Sequence, residues 1–362
     1  MSLPYLRVSG TPFEQGAAHG EAFAELALHN LNVYFERLAL EALLPRERVL
    51  EMAGRWLAIA SSLDADYVAG LRGLAAGSRL GLTDVAVLNA RYELLYSQFG
   101  LIGLARQRAD GCTAFAVPPS ASETGHALIG QNWDWIPDVR GVVIQSTNPD
   151  GARSLAFTEA GIFGAKIGLN DAGVGLAING LTSTTDGWDR HALPLHARCW
   201  RVLAARSLDA AVATVAGTPR ACSTNFVLGQ AGRAPVDVEA APDTASRVEA
   251  QDHPLVHANH FENPSAMGVL EAPSDLRPHS HSRQARLQAL LGGGPVSLAR
   301  ARATLADHVG YPDSICFHEN PLDPPQERYR TVTSVVMDLD ALRLWATDGP
   351  PCQDSGQVFS LS

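Results

Sequence analysis

One boundary governs what this chain can fold into: its texture changes abruptly after Asp110-Gly111. Ahead of it the pattern is helical. Thr11-Pro12-Phe13-Glu14 reads as a capping box with proline at the first helical position, where its missing N–H costs nothing. The Ala/Leu-rich run that follows predicts a helix to about Leu44, ahead of Pro45. Further helices are expected over residues 47–60 and 64–76, the second closed by Gly77, and another from the N-cap candidate Thr83.

Beyond the boundary, short β-type runs alternate with turn signals. They cover residues 112–117, 127–135, 142–146, 154–158, 166–170 and 173–179, with turns at Asn148-Pro149-Asp150-Gly151 and Asn170-Asp171-Ala172-Gly173. Helices are expected at 195–206 and at 207–215, where Ser207 can cap, then strands at 225–229 and 236–239. Helices at 282–291 and 297–308 and strands at 333–338 and 342–347 close the chain. Gly292-Gly293-Gly294 fits a helix–helix loop and no phosphate cradle, since no Lys-Ser/Thr follows it. Runs of helices and runs of strands point to an α+β architecture.

Composition narrows the function. The formal charge of −10 over 362 residues comes without a dense Lys/Arg block, so a nucleic-acid partner is not expected. Lys166 is the only lysine. No apolar run approaches the roughly 20 residues that span a bilayer, so no membrane partner is expected. The opening Met1–Arg7 lacks the pattern of a signal peptide. Cys112, Cys199, Cys222, Cys316 and Cys352 are odd in number and form no Cys-x-x-Cys pair, which favours a reduced, cytoplasmic protein without a disulfide framework or zinc ribbon.

Cys112 stands on the texture boundary. A free cysteine usually behaves as a small buried hydrophobe. Here Gly111 leaves its own carbonyl open to a neighbouring thiol. The next β-like run carries Gly130-Gln131-Asn132-Trp133-Asp134-Trp135, a carboxylate and an amide on a strand that can pair with the cysteine strand. A carboxylate there can orient an amine and stabilise its protonated form.

With Asp110-Gly111-Cys112-Thr113 followed by Asn132-Trp133-Asp134, the chain resembles the acyl-coenzyme A:6-aminopenicillanic acid acyltransferase (isopenicillin N acyltransferase) family of cysteine N-terminal-nucleophile hydrolases. Ser223-Thr224-Asn225-Phe226, His257-Ala258-Asn259-His260-Phe261, the Ser280–Arg283 helix start and Tyr311-Pro312-Asp313-Ser314-Ile315-Cys316 extend the resemblance over nearly the whole chain. It implies a four-layer αββα sandwich and self-cleavage between Gly111 and Cys112. Residues 1–111 would become a mainly helical smaller chain and 112–362 a β-rich larger one, both staying associated in one αββα domain.

The resemblance also implies the roles. Cys112 would be the nucleophile and its freed α-amine the base. An α-amine pKa of about 7.7–8.0 lies close to that of a thiol, about 8.5, so the proton moves between them at little cost. Asp134 would hold the α-ammonium and Asn259 would donate to the oxyanion. Asn132, Trp133, Trp135, Ser223 and Phe317 are candidate substrate contacts. Two departures stand out: Ala114 where the penicillin-making branch leads one to expect a hydroxyl, and Phe317 where it leads one to expect an arginine. Losing that cation argues against a carboxylated β-lactam nucleus and for an apolar group.

The chemistry calls for no cofactor. His253, His257 and His260, near His279 and His281, carry a His-x3-His-x2-His spacing, but Pro254 and Asn263-Pro264 bracket strand and turn rather than helix. They are expected to be polar loop and strand side chains, and the cysteines other than Cys112 core or strand residues, so no metal is expected. The expected activity is amidohydrolysis of a small N-acyl amine through a Cys112 thioester. Two readings stay open: an acyltransferase fed by acyl-coenzyme A or an amide, and an unprocessed, non-catalytic binding protein.

Overall fold

The computed structural model describes residues 3–102, 111–271, 278–324 and 328–361. The N-terminal third opens with strand β1 (Tyr5–Ser9) and continues through helices α1 (Pro12–Ala22), α2 (Ala24–Glu41), α3 (Arg46–Leu63), α4 (Ala65–Ser78) and α5 (Leu82–Ile102). Strands β2 (Thr113–Val117), β3 (Leu128–Trp135), β4 (Gly141–Thr147), β5 (Arg153–Glu159), β6 (Ile167–Asn170) and β7 (Val174–Gly180) follow. Next come α6 (Leu195–Ala204), α7 (Leu208–Ala216), β8 (Thr224–Gln230), β9 (Val236–Ala240), β10 (Ala245–Glu249) and β11 (Leu255–His257). The last elements are α8 (Pro264–Met267), α9 (Pro278–Leu291), α10 (Leu298–Leu305), β12 (Arg330–Asp338), β13 (Arg343–Ala346) and β14 (Gln357–Ser360).

Among the described residues the strands form two sheets. An eight-stranded sheet runs β1-β4-β5-β6-β7-β8-β9-β10, and a six-stranded one runs β11-β2-β3-β12-β13-β14. Strand alternation explains how they stack. Ala114, Ala116, Ile129, Trp133 and Trp135 on one face of the smaller sheet join Leu169, Leu176, Phe226 and Leu228 of the larger in one core between the sheets. On the opposite face, Phe115, Val117 and Leu128 pack under Leu287 and Leu291 of α9 and Ala301 and Leu305 of α10. Helices α6 and α7 cover the far side of the larger sheet. The result is a four-layer αββα sandwich.

Several local expectations needed correction. The long first helix breaks at Phe23 into α1 and α2. Gly77 does not stop α4, which ends with Arg79 in the left-handed region. Its hydrogen-only side chain serves packing instead: a Cβ there would lie 2.0 Å from the Ala17 carbonyl oxygen, so α1 and α4 touch backbone to backbone. Thr83 lies inside α5 rather than capping it. Three strands had no clear signal, β1, β10 and β14, and β11 was expected only as part of a strand-and-turn stretch. β1 also makes the larger sheet mixed, because it pairs parallel with β4. No described helix is long and apolar enough to cross a membrane.

Candidate active site

Strand register alone assembles the site. Thr113 of β2 pairs with Asn132 of β3, so continuing the antiparallel ladder sets Cys112 level with Trp133 and Gly111 level with Asp134. On the other side His257 of β11 pairs with Ala114, and continuing beyond the strand end sets Asn259 level with Cys112. β12 places Thr331 opposite Asp134. Asn259, Cys112, Asp134 and Thr331 thus lie across one end of the smaller sheet. Asp110 falls outside the described residues.

Contacts tighten this arrangement. The Asp134 carboxylate accepts from the Thr331 hydroxyl at 2.6 Å, and the same Thr331 oxygen accepts from the Phe317 N–H at 2.9 Å. Asp134 also abuts Gly111: a Cβ on Gly111 would stand 2.9 Å from Asp134 Oδ2 and 3.2 Å from Phe317 Cδ2. A side chain at 111 would have to displace that carboxylate and press on that ring. Phe317 therefore forms a wall against Gly111, where an arginine was expected.

Arg283, buried on α9, is the residue that joins these parts. Its Nη1 donates to the carbonyl oxygens of Gly111 at 2.7 Å and Cys112 at 2.8 Å, and to Thr113 Oγ1 at 2.6 Å. Its Nη2 donates to Asn259 Oδ1 at 3.0 Å, while Asn259 Nδ2 donates to the Gly180 carbonyl at 3.1 Å. A guanidinium on the Gly111 carbonyl is a ready stabiliser of negative charge on that oxygen. The sequence marked Arg283 only as part of a helix start, because nothing local ties it to a cysteine 171 positions earlier.

The candidate substrate contacts fare differently. Asn132 points into the helix layer, where its Nδ2 donates to the carbonyls of Leu305 at 2.8 Å and Ile315 at 2.7 Å. Strand alternation explains this placement, since Asn132 shares the outer face with Thr113, and its Nδ2 holds backbone carbonyls. Trp133 and Trp135 lie in the core between the sheets, their rings 6.2 Å apart. Ser223 donates to Asp186 Oδ1 at 2.7 Å and meets Ser183 Oγ at 3.1 Å, a buried hydroxyl–carboxylate group at the end of the larger sheet.

A buried charge network underlies the tryptophans. The Lys166 ammonium sits 3.1 Å from the Trp133 ring centroid and 3.1 Å from Glu159 Oε1. Arg91 and Tyr34 also bond to Glu159, and Trp135 Nε1 donates to Tyr34 at 2.8 Å. Burial and the Arg91 charge pull the Lys166 pKa down to about 7, against Glu159 and the Cys112 thiol, which favour its charge. Burial would raise the Glu159 pKa, but Arg91 and Lys166 overcome it and hold it at about 2. The chain's single lysine is thus spent inside the protein, in the electrostatic reach of Cys112.

The first histidine group makes contacts within the protein. His257 Nε2 meets Glu239 at 3.0 Å, His260 Nδ1 meets Ser280 Oγ at 2.7 Å, and His253 is exposed. A different cluster was not anticipated: His308, Cys316, His318 and Cys352 bring four ligand atoms within 4.8 Å of one another. Cys316 is buried and Cys352 exposed, and both lie outside the strands. Cys316-Phe317-His318 was the local signal, a Cys-x-His beside the site.

Fold and site together define an αββα enzyme with a cysteine opening an inner strand at a Gly-Cys junction. Residues 121–351 match the family described as acyl-coenzyme A:6-aminopenicillanic acid acyl-transferase, and the chain belongs to that family. It is an enzyme acting on amides, a hydrolase or an acyltransferase. A relative from Emericella nidulans, the acyl-coenzyme A:6-aminopenicillanic-acid-acyltransferase 40 kDa form, is 29% identical over 351 residues, which cover 92% of this chain and 89% of the relative. Solved structures with a similar arrangement include the Caenorhabditis elegans N-acylethanolamine-hydrolyzing acid amidase ortholog (TM-score 0.48, 14% identity, 63% of this chain and 93% of that one). Penicillin V acylase from Agrobacterium tumefaciens is another (TM-score 0.41, 14% identity, 66% and 83%).

Proposed function

We propose that the chain is an autoprocessing cysteine N-terminal-nucleophile amidohydrolase. In maturation the Cys112 sulfur attacks the Gly111 carbonyl carbon, and the Gly111–Cys112 C–N bond breaks as its nitrogen takes up a proton. Water then hydrolyses the resulting thioester, leaving a Gly111 carboxylate and a free Cys112 thiol and α-amine. In turnover the same sulfur takes the acyl group of an N-acyl amine, the leaving amine receives a proton relayed by the α-amine, and water releases the acid. Asp134, fixed by Thr331, holds the α-ammonium; Asn259 and Arg283 serve the oxyanion.

The observation that carries this reading is the guanidinium of Arg283 on the Gly111 carbonyl, with Asp134 and Asn259 on either side of the Cys112 strand. Hydrolysis is favoured over coenzyme A-dependent transfer because Lys166, the one lysine, is buried on Glu159 and unavailable to a phosphate. Phe317 against Gly111 likewise favours an apolar substrate group over an anionic one.

Intact mass under denaturing conditions tests the proposal. Wild type should give two chains broken between Gly111 and Cys112, and Cys112→Ala one unbroken chain. N-acyl amines, with and without acyl-coenzyme A and an amine acceptor, then separate hydrolysis from transfer. A wild-type chain that stays whole and unreactive to thiol-directed acylating reagents would establish the non-catalytic binding protein instead.

A further inference from the structure

Beside the candidate active site, at the protein surface, four side chains from three points in the sequence converge. Cys316 Sγ lies 3.6 Å from Cys352 Sγ and 3.4 Å from His318 Nε2. Cys352 Sγ is 3.4 Å from His318 Nε2, and His308 Nε2 is 3.2 Å from the same atom. A tetrahedral zinc ion with Zn–S of about 2.3 Å and Zn–N of about 2.0–2.1 Å would set its ligands about 3.8 Å (S–S), 3.6 Å (S–N) and 3.3 Å (N–N) apart. These four separations fall within a few tenths of an ångström of that tetrahedron, and all four ligand atoms lie within 4.8 Å of one another. The two sulfurs are too far apart for a disulfide and both cysteines are free.

We propose that His308, Cys316, His318 and Cys352 bind a divalent transition-metal ion, zinc by the chemistry of the donors, in a closed Cys2His2 site. Soft thiolates with imidazoles in tetrahedral array select zinc over magnesium or calcium, and four protein ligands leave no position for substrate, so the role is structural. Binding displaces the two thiol protons, so two thiolates and two neutral imidazoles neutralise the dication.

The surroundings suit a ligand-bearing loop. Cys316 N–H donates to the Asp307 carbonyl, and His318 N–H to that of Pro312, each at 3.0 Å. The ion would clamp the segment after α10 to the turn after β13, which is itself tied to β12 by the Gly349 N–H donating to the Val332 carbonyl at 2.8 Å. Phe317 sits between two of the ligands. The clamp would therefore fix the aromatic wall against Gly111.

Metal analysis of the full-length protein, purified and dialysed against a weak chelator, tests this. About one zinc per chain is expected, falling at least tenfold in both His308→Ala and Cys352→Ser while the exposed His253→Ala variant keeps it. Cobalt(II) added to the metal-free protein should give the intense visible bands of a tetrahedral site with thiolate-to-cobalt charge transfer, absent from both ligand variants. Cys112→Ala should keep its zinc, so this outcome is independent of the catalytic reading. The proposal is overturned by a protein without zinc or cobalt affinity, by zinc content unchanged in the ligand variants, or by an intact mass lower by two hydrogens from a Cys316–Cys352 disulfide.

Discussion

Arg283 offers the sharpest test of how the Gly111–Cys112 junction is activated. Its guanidinium spends one nitrogen on Gly111 O, Cys112 O and Thr113 Oγ1, and the other on Asn259. When the Cys112 sulfur adds to the Gly111 carbonyl, negative charge develops on the oxygen 2.7 Å from Nη1. Removing one donor of this kind costs about 10²–10³ in rate, or roughly 2.7–4 kcal/mol of transition-state stabilisation. Arg283→Met should therefore slow two-chain formation by about 10³-fold, and Arg283→Lys by about 10²-fold, because one ammonium cannot span Gly111 and Asn259 together. The assay is a time course of intact mass after synchronised cell-free synthesis, with thermal unfolding measured on the same material. Losing charge-assisted bonds to buried acceptors also lowers stability, by about 1.5–3 kcal/mol each, so the rate is compared only among chains that still unfold cooperatively. Thr113→Val removes a single acceptor and should leave the rate within a few-fold of wild type. A folded Arg283→Met chain that cleaves at the wild-type rate would refute the assignment.

Gly111→Ala forces a Cβ to 2.9 Å from Asp134 Oδ2 and 3.2 Å from the Phe317 ring, so self-cleavage followed by mass should slow by about 10²-fold as the carboxylate is displaced. Asn132→Ala leaves the Leu305 and Ile315 carbonyls without their donor and should cost roughly 2–4 kcal/mol in urea unfolding, with activity per folded molecule retained; unchanged stability with a raised KM would return Asn132 to the substrate site. Burial alone would depress the His257 pKa, yet Asp237 and the Glu239 bond hold it up at about 9. Protonation of His257 thus contributes stability that is complete below its unfolded pKa of about 6.5 and is lost as pH rises through about 9. In Glu239→Gln the His257 titration, read by NMR, should move to lower pH, and an unmoved midpoint would discard the pairing.

How much of this was readable beforehand depended on whether the signal was local. The junction at Cys112 and the central strands β2 to β9 were legible because turn chemistry brackets them. The Asn170 turn is an example: its side chain accepts from the Ala172 and Val174 N–H groups at 3.0 Å each, and Gly173 takes a positive φ. The missed β10 is mostly exposed and β11 has three residues, too little alternation to register. The helix break at Phe23 and the embedded Gly77 follow from how α1 docks on α4, which no window of α1 alone contains. The same holds at the site. Cys112, Asp134 and Asn259 stand in recognisable motifs that register then aligns, whereas Arg283 and the His308–Cys352 cluster exist only as three-dimensional neighbours. The motif that names Asn132, Trp133 and Trp135 does not say which face of β3 each takes; alternation and packing set Asn132 toward the helices and the tryptophans between the sheets.

A cut after Gly111 would change chain ends rather than architecture, and the buried charges say why. Glu159, which would lie in the larger product, is held ionised by Arg91 from α5, whose Nε donates to Oε2, and by Lys166 on Oε1, while Oε2 also accepts from Tyr34 of α2. Stripping one partner from such a pair costs about 3–5 kcal/mol, because a buried charge is left short of compensation. The same interface carries the parallel β1–β4 ladder, Asn30 donating to the Arg140 and Ala160 carbonyls at 2.9 Å each, and Tyr92 donating to the Ser223 carbonyl at 2.6 Å. Residues 1–111 thus supply a strand, a counter-ion and several side-chain donors to backbone carbonyls of residues 112–362. The helical segment would therefore stay part of the αββα body after such a cut, and separating it should require conditions that unfold both. What self-cleavage would add is confined to the sheet end where Asp134, Asn259 and Arg283 converge: a free amine beside a thiol, made where the folded chain already holds its partners.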